Sequence, residues 1–187
     1  MLIKCKQCNA PLQILGNNLR STHLICQYCG TVMAIKNDFK PLYSFATHQQ
    51  NSAYRLGKKY LFQSVEYQIV GFIVYQSLHK QWLEYQLYSL THGYGKLIEK
   101  DKKTLFLKRT HYLPQPNVWM LKSGDKFTIQ KQEFSIQSFE FAEIYYAAGT
   151  ILEDISQKKR SKHCFAWHEN RCFYSLFKRD TVHYYLA

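Results

Sequence analysis

The sequence predicts an all-β protein, with an N-terminal zinc ribbon at residues 1–37 followed by a pseudo-duplicated β-domain of two small bent-sheet or barrel-like units. Three observations carry this expectation. Two CxxC pairs stand near the N-terminus. The rest of the chain reads as short runs rich in β-branched and aromatic residues. It also matches itself when shifted by 67 residues.

The ribbon comes first. Cys5-Lys-Gln-Cys8 and Cys26-Gln-Tyr-Cys29-Gly30 are separated by 17 residues, the spacing of a Cys₄ metal site. Two intervening residues let the chain turn so that both thiolates of a pair point at one ion, and Gly30 suits a position with φ > 0. Residues 11–14, 22–25 and 31–35 read as its strands. So short a segment buries too little surface to fold alone, so one structural Zn²⁺ is the expected cofactor. Four thiolates fill the tetrahedron and leave no position for a reactive water. His23 is a further imidazole in this segment, read either as a substitute ligand or as an ordinary strand residue.

Residues 38–52 lose periodicity and read as a linker that touches the domain through Phe39, Leu42, Tyr43 and Phe45. The β-domain is expected at 53–187. Its first clear strand is 65–75, which alternates and then turns apolar on both faces after Gly71, as a bulged central strand does. Leu83, Tyr85 and Leu87 alternate with Trp82, Glu84, Gln86 and Tyr88, and further strands read at 104–108, 126–130, 134–141, 162–167, 172–178 and 182–186.

In the repeat, Gly57, Lys59, Tyr60, Glu66, Tyr67, Ile69 and Phe72 fall on Gly124, Lys126, Phe127, Glu133, Phe134, Ile136 and Phe139 without a gap. Two units, about 53–118 and 119–187, are expected from it.

The stretch from Leu56-Gly57 through Tyr67-x-Ile69-x-Gly71-Phe-Ile-x-Tyr75 to Trp82-Leu-Glu84-Tyr85-x-Leu87, with Gly124-Asp125 and Ala147-Ala-Gly149 in the second half, resembles the bacterial domain-of-unknown-function family 4178. The resemblance covers about residues 53–187, and members often carry a zinc ribbon in front. The family pattern has an acidic residue where this chain has Thr150. The resemblance implies no enzyme activity. It implies an accessory role beside membrane-stress or polyamine-associated proteins.

Candidate sites follow from residue type and position. Trp82, Glu84 and Tyr88 share one strand face and form either an aromatic, acidic pocket for a cation or a core segment whose Glu84 pairs with a base. His163, Cys164, His168 and Cys172 form either a second metal cluster or buried thiols with solvent-facing imidazoles. Lys158, Lys159, Arg160 and Lys162 form either an anion-binding surface or a solvated loop. No P-loop, GxGxxG, HExxH or GxSxG motif occurs, and the chain has only five Asp, so no catalytic residue is assigned.

With 25 Lys and Arg against 13 Asp and Glu, the net charge of +12 attracts nucleic acid, an anionic membrane surface or acidic proteins. A protein partner is expected, with nucleic acid bound on a basic, aromatic-rich surface as the alternative and an unassigned enzyme as a third reading. The start lacks the apolar core of a signal peptide, and the longest apolar run, 69–75, is too short to span a bilayer. A cytoplasmic location is therefore expected.

Overall fold

The computed structural model describes residues 2–17, 19–46, 52–78, 80–155, 160–178 and 181–187. Among them the regular structure is strand, apart from two short 3₁₀ turns at Ile35–Asn37 and Val118–Met120. In the ribbon, β1 (Leu2–Lys4) pairs antiparallel with β2 (Pro11–Gln13), while β3 (His23–Ile25), β4 (Thr31–Ala34) and β5 (Lys40–Ser44) form a three-stranded antiparallel set.

Two five-stranded antiparallel meanders follow. The first is β6 (Lys59–Phe62), β7 (Val65–Gln76), β8 (Gln81–Ser89), β9 (Gly93–Lys100) and β10 (Lys103–Arg109). The second is β11 (Lys126–Ile129), β12 (Gln132–Ile151), β13 (Ser161–His168), β14 (Arg171–Lys178) and β15 (Thr181–Leu186). Two seams join them: β12 pairs with β7, and the end of β10 pairs with the end of β15. The ring β7–β8–β9–β10–β15–β14–β13–β12 thus closes on itself as an eight-stranded barrel, wide enough only for its own side chains to fill.

The two bent-sheet or barrel-like units expected from the sequence take the form of two meanders, each one half of a single closed barrel. A half-barrel leaves edge strands open, and pairing the two halves removes them. Likeness between the halves is close at their first hairpins. Tyr60 faces Tyr67 and Phe127 faces Phe134, each across a two-residue turn with positive φ at both positions. Lys59–Glu66 and Lys126–Glu133 are ion pairs of 2.7 Å. Gly57 N–H reaches Ile69 O, and Gly124 N–H reaches Ile136 O, both at 2.8 Å.

The 38–52 linker also departs from expectation. Residues 40–44 form β5, and 47–51 lie outside the described residues. Nor is the ribbon a separate body, since β3 adds to the end of β12 and Thr22 Oγ1 donates to the carbonyls of Ile151 and Glu153. One apolar core runs through both, from Ile25, Val32 and Phe45 of the ribbon side to Phe72, Ile73 and Tyr146 of the barrel.

Candidate metal centre and barrel interior

Each CxxC pair closes a tight turn of the same build. Cys5 N–H donates to Ala10 O at 2.9 Å and Asn9 N–H to Cys5 O at 3.0 Å; Cys26 N–H donates to Thr31 O at 3.0 Å and Gly30 N–H to Cys26 O at 2.8 Å. Asn9 and Gly30 hold the positive φ that ends each turn, 59° and 70°. At Gly30 a Cβ would meet Phe45 O at 2.3 Å, so glycine is also needed for the close approach of the chain that follows β5.

The two turns face each other. Cys5 Sγ lies 3.7 Å from Cys29 Sγ, Cys8 Sγ lies 3.7 Å from Cys26 Sγ, and all four sulfurs fall within 4.8 Å of one another. A tetrahedron with metal–sulfur bonds of about 2.3 Å has edges of about 3.8 Å. The four cysteines can therefore hold a metal ion. Gln7 N–H points at Cys5 Sγ (3.5 Å), and Thr31 Oγ1 contacts Cys29 Sγ (3.1 Å) and Ser44 on β5 (3.0 Å), which orients the ligands from behind. Burial pushes the Cys26 thiol up to about 12. At Cys29 burial is outweighed by hydrogen bonds from Thr31, which bring the thiol to about 7. Four thiolates this close need a cation between them. His23 is not among them: its Nδ1 contacts Thr22 Oγ1 at 2.8 Å and its Nε2 lies 4.0 Å from Asp154.

Inside the barrel, alternation on β8 sends Trp82 and Glu84 inward, both fully buried. Trp82 stacks on Tyr75 (5.4 Å between centroids) and meets His163 edge-on (5.0 Å). Glu84 is paired with Lys96 of β9 and accepts from Tyr174 Oη at 2.9 Å. Lys96 Nζ also binds Glu153 at 2.7 Å, and Glu153 accepts from Gln86 as well. Tyr88 instead packs at a tilt against Tyr94 (4.9 Å between centroids, 50° between planes), half-buried, away from the other two. The three residues proposed for a cation pocket therefore do not line one opening, because Lys96 already supplies the cation that Glu84 needs.

The charges in this cluster set one another. Burial raises the Glu84 carboxyl above its usual range, with the neighbouring Glu153 adding to the rise. Glu153, although burial opposes it, is held below the usual range by Lys96. His163 is driven well below its ordinary value by burial and by Lys96, and so bridges Ser161 and Tyr174, both at 2.7 Å, as a neutral ring.

The other candidates disperse. His163 faces inward, Cys164 packs in the apolar layer of Phe127, Phe134 and Phe173, Cys172 packs in the barrel core, and His168 bonds Glu133 O at 2.8 Å. The register pairs Trp167 with Cys172 and Cys164 with Ser175, which keeps the two thiols apart, and burial pushes both to about 12. Lys158 and Lys159 lie outside the described residues. Arg160 pairs with Glu143 at 2.8 Å. Lys162 Nζ lies over the rings of Phe139 (4.7 Å), Trp119 (5.3 Å) and Phe141 (5.5 Å).

Sequence reasoning missed Lys96 and Glu153. Glycines at the start of β9 and Glu99-Lys100 at its end hide the alternation of that strand, and nothing local marks Lys96 as buried. No helix among the described residues is long and apolar enough to cross a membrane. Fold and site together define a ribbon whose four cysteines could hold a metal ion, joined to a closed antiparallel barrel with a self-paired ionic interior. No family model, curated protein or solved structure matches the chain.

Proposed function

We propose that this chain is a non-enzymatic accessory or adaptor protein whose ribbon is held by one structural Zn²⁺, and that it belongs to family 4178 and works in the bacterial cytoplasm through a protein partner. The observation that carries this reading is the geometry of four sulfurs at tetrahedral spacing. Such a set suits Zn²⁺ and, once filled, leaves no ligand position for substrate or water. The buried carboxylates support it too, since Glu84 and Glu153 are engaged with Lys96, Tyr174 and Gln86. The test is affinity purification from the native host with wild type and Cys26→Ser. The expected result is one specific protein recovered in stoichiometric amount by wild type and lost with the variant; recovery of no partner, together with chelator-sensitive turnover of any substrate, contradicts it.

A second reading, nucleic-acid binding, is favoured by one surface. Phe141, Lys162 and Phe177 stand side by side across β12, β13 and β14, with Tyr145 exposed on the same long strand and Trp119 packed 5.6 Å from Phe177. Exposed rings around a cation suit the bases and phosphates of a single strand.

A further inference from the structure

At the end of the barrel opposite the β9–β10 turn lies a cleft of about 590 Å³. Three parts of the chain build it. The ribbon contributes Arg20, the first meander contributes His92, Lys96 and Arg109, and the second contributes Glu153 and His183, while His111 lines it just beyond β10. Both seams of the barrel converge here, because β10 ends at Arg109 beside β15, and Glu153 lies two residues past the end of β12.

The charge of this cleft is lopsided. Its carboxylate, Glu153, is already bound to Lys96 at 2.7 Å. Arg20 and Arg109 are exposed, and neither makes an ion pair among the described residues. The Nδ1 atom of His183 is buried and finds no hydrogen-bond partner among them. Lys59, Lys80, Lys126 and Arg160 each hold a carboxylate at 2.7 to 3.1 Å, whereas in this cleft two arginines share a lining whose carboxylate is already engaged. Two guanidinium groups without an ion pair, lining one cleft of ligand size, are an anion site in search of its anion.

We infer that this cleft binds a phosphate ester of about mononucleotide size, with Arg20 and Arg109 on the phosphate and the Tyr94, His183 and Tyr185 side chains forming the wall for the rest of the molecule. Phosphate fits better than a single carboxylate, because two guanidinium forks offer more donors than one carboxylate can accept. The volume lies within the range of roughly 300 to 1,000 Å³ of small-molecule sites and exceeds what bare phosphate fills.

The test is calorimetric titration of the full chain with adenosine 5′-monophosphate, ribose 5-phosphate and inorganic phosphate at low salt. Wild type, Arg20→Gln, Arg109→Gln and the distant control Lys40→Ala are compared, with melting curves to show that all four fold alike. The expected result is binding of at least one ester more tightly than inorganic phosphate, a loss of at least tenfold in Arg109→Gln and Arg20→Gln, and no change in Lys40→Ala. Absence of binding by every probe, equal affinity for ester and inorganic phosphate, or arginine variants that bind like the control would each overturn it. The titration reads phosphate binding and not metal content, so with the ribbon folded in all four proteins it can fail while the ribbon reading stands.

Discussion

Gly71 of β7 stands opposite Gly149 of β12, and neither position has room for a Cβ. One built at Gly71 would meet Thr150 O at 2.2 Å, and one at Gly149 would meet Val70 O at 2.6 Å and the Gly71 Cα at 2.9 Å. Gly149 also has φ of +82°, which L side chains rarely adopt. This pair lies in the seam between the two meanders, beside the point where the ribbon strand β3 joins β12 at Ile25. Gly71→Ala is therefore expected to cost about 3 kcal/mol, because backbone rather than a flexible side chain must move. Urea unfolding measures it. A loss below about 0.5 kcal/mol, the size of an ordinary surface substitution, would show that the seam is looser than described.

The buried ion cluster gives a pH-dependent prediction. Glu153 has its carboxyl held low, so its contribution to stability is present above the ordinary carboxylate pKa and is lost as pH falls through the lowered value. Lys96 has its pKa raised well above normal, so its contribution persists through neutral pH and is lost only as pH rises through that raised value. Glu84, raised by burial, contributes below its ordinary pKa and loses that contribution as pH rises through the raised value. Lys96→Met leaves two buried carboxylates without their ammonium, which should cost about 3 to 5 kcal/mol near pH 8. Both acids then favour the neutral form, so the variant should gain stability as pH falls from about 8 to 5. An unfolding midpoint that follows wild type across this range would refute the pairing.

Much of this arrangement was legible in the sequence, and the reasons it was not wholly so are physical. The cysteine spacing located the Cys₄ group because a CxxC turn is local chemistry, complete within five residues, although Asn9 as the partner of Gly30 carries no equally strong signal. The hairpins at 59–76 and 126–141 were legible because Lys, Glu and aromatic residues recur in register. Their turns, Gln63-Ser64 and Gln130-Lys131, lack the glycine that usually marks positive φ. Barrel closure depends on pairing between β7 and β12, which are far apart in sequence, and on glycines whose need appears only when the two strands meet. The C-terminal half of β12 hid for another reason: Ala142, Ala147 and Ala148 weaken the strand pattern, yet they are small because other strands pack closely on them.

The six cysteines should divide into two classes of reactivity. Cys164 and Cys172 are fully buried within the barrel core and its apolar layer, whereas the ribbon cysteines, although Cys5 and Cys26 are as deeply buried, sit on a short segment expected to open when its metal is removed. Alkylation followed by mass spectrometry should find none of the six labelled in metal-loaded protein and four after chelation, with Cys164 and Cys172 reacting only in denaturant. Labelling of either in folded protein contradicts the core assignment.

The aromatic surface makes the nucleic-acid reading testable. If a single strand stacks there, Phe141→Ala and Tyr145→Ala should each weaken oligonucleotide binding by about 1 to 3 kcal/mol, and Lys162→Gln should flatten the salt dependence by about one unit of slope. Wild type that ignores single-stranded oligonucleotides at low salt removes this reading altogether.

The most direct test of the central claim is X-ray absorption at the zinc edge, combined with metal analysis of protein purified without added zinc. The expected result is about one Zn²⁺ per chain with four sulfur neighbours at about 2.3 Å and no oxygen or nitrogen in the shell. Cys26→Ser should lower the metal content and unfold the ribbon while the barrel strands persist. A metal-free protein with Cys5, Cys8, Cys26 and Cys29 still ordered as thiols, or a shell containing an exchangeable water, would contradict a structural zinc and reopen the case for catalysis at this site.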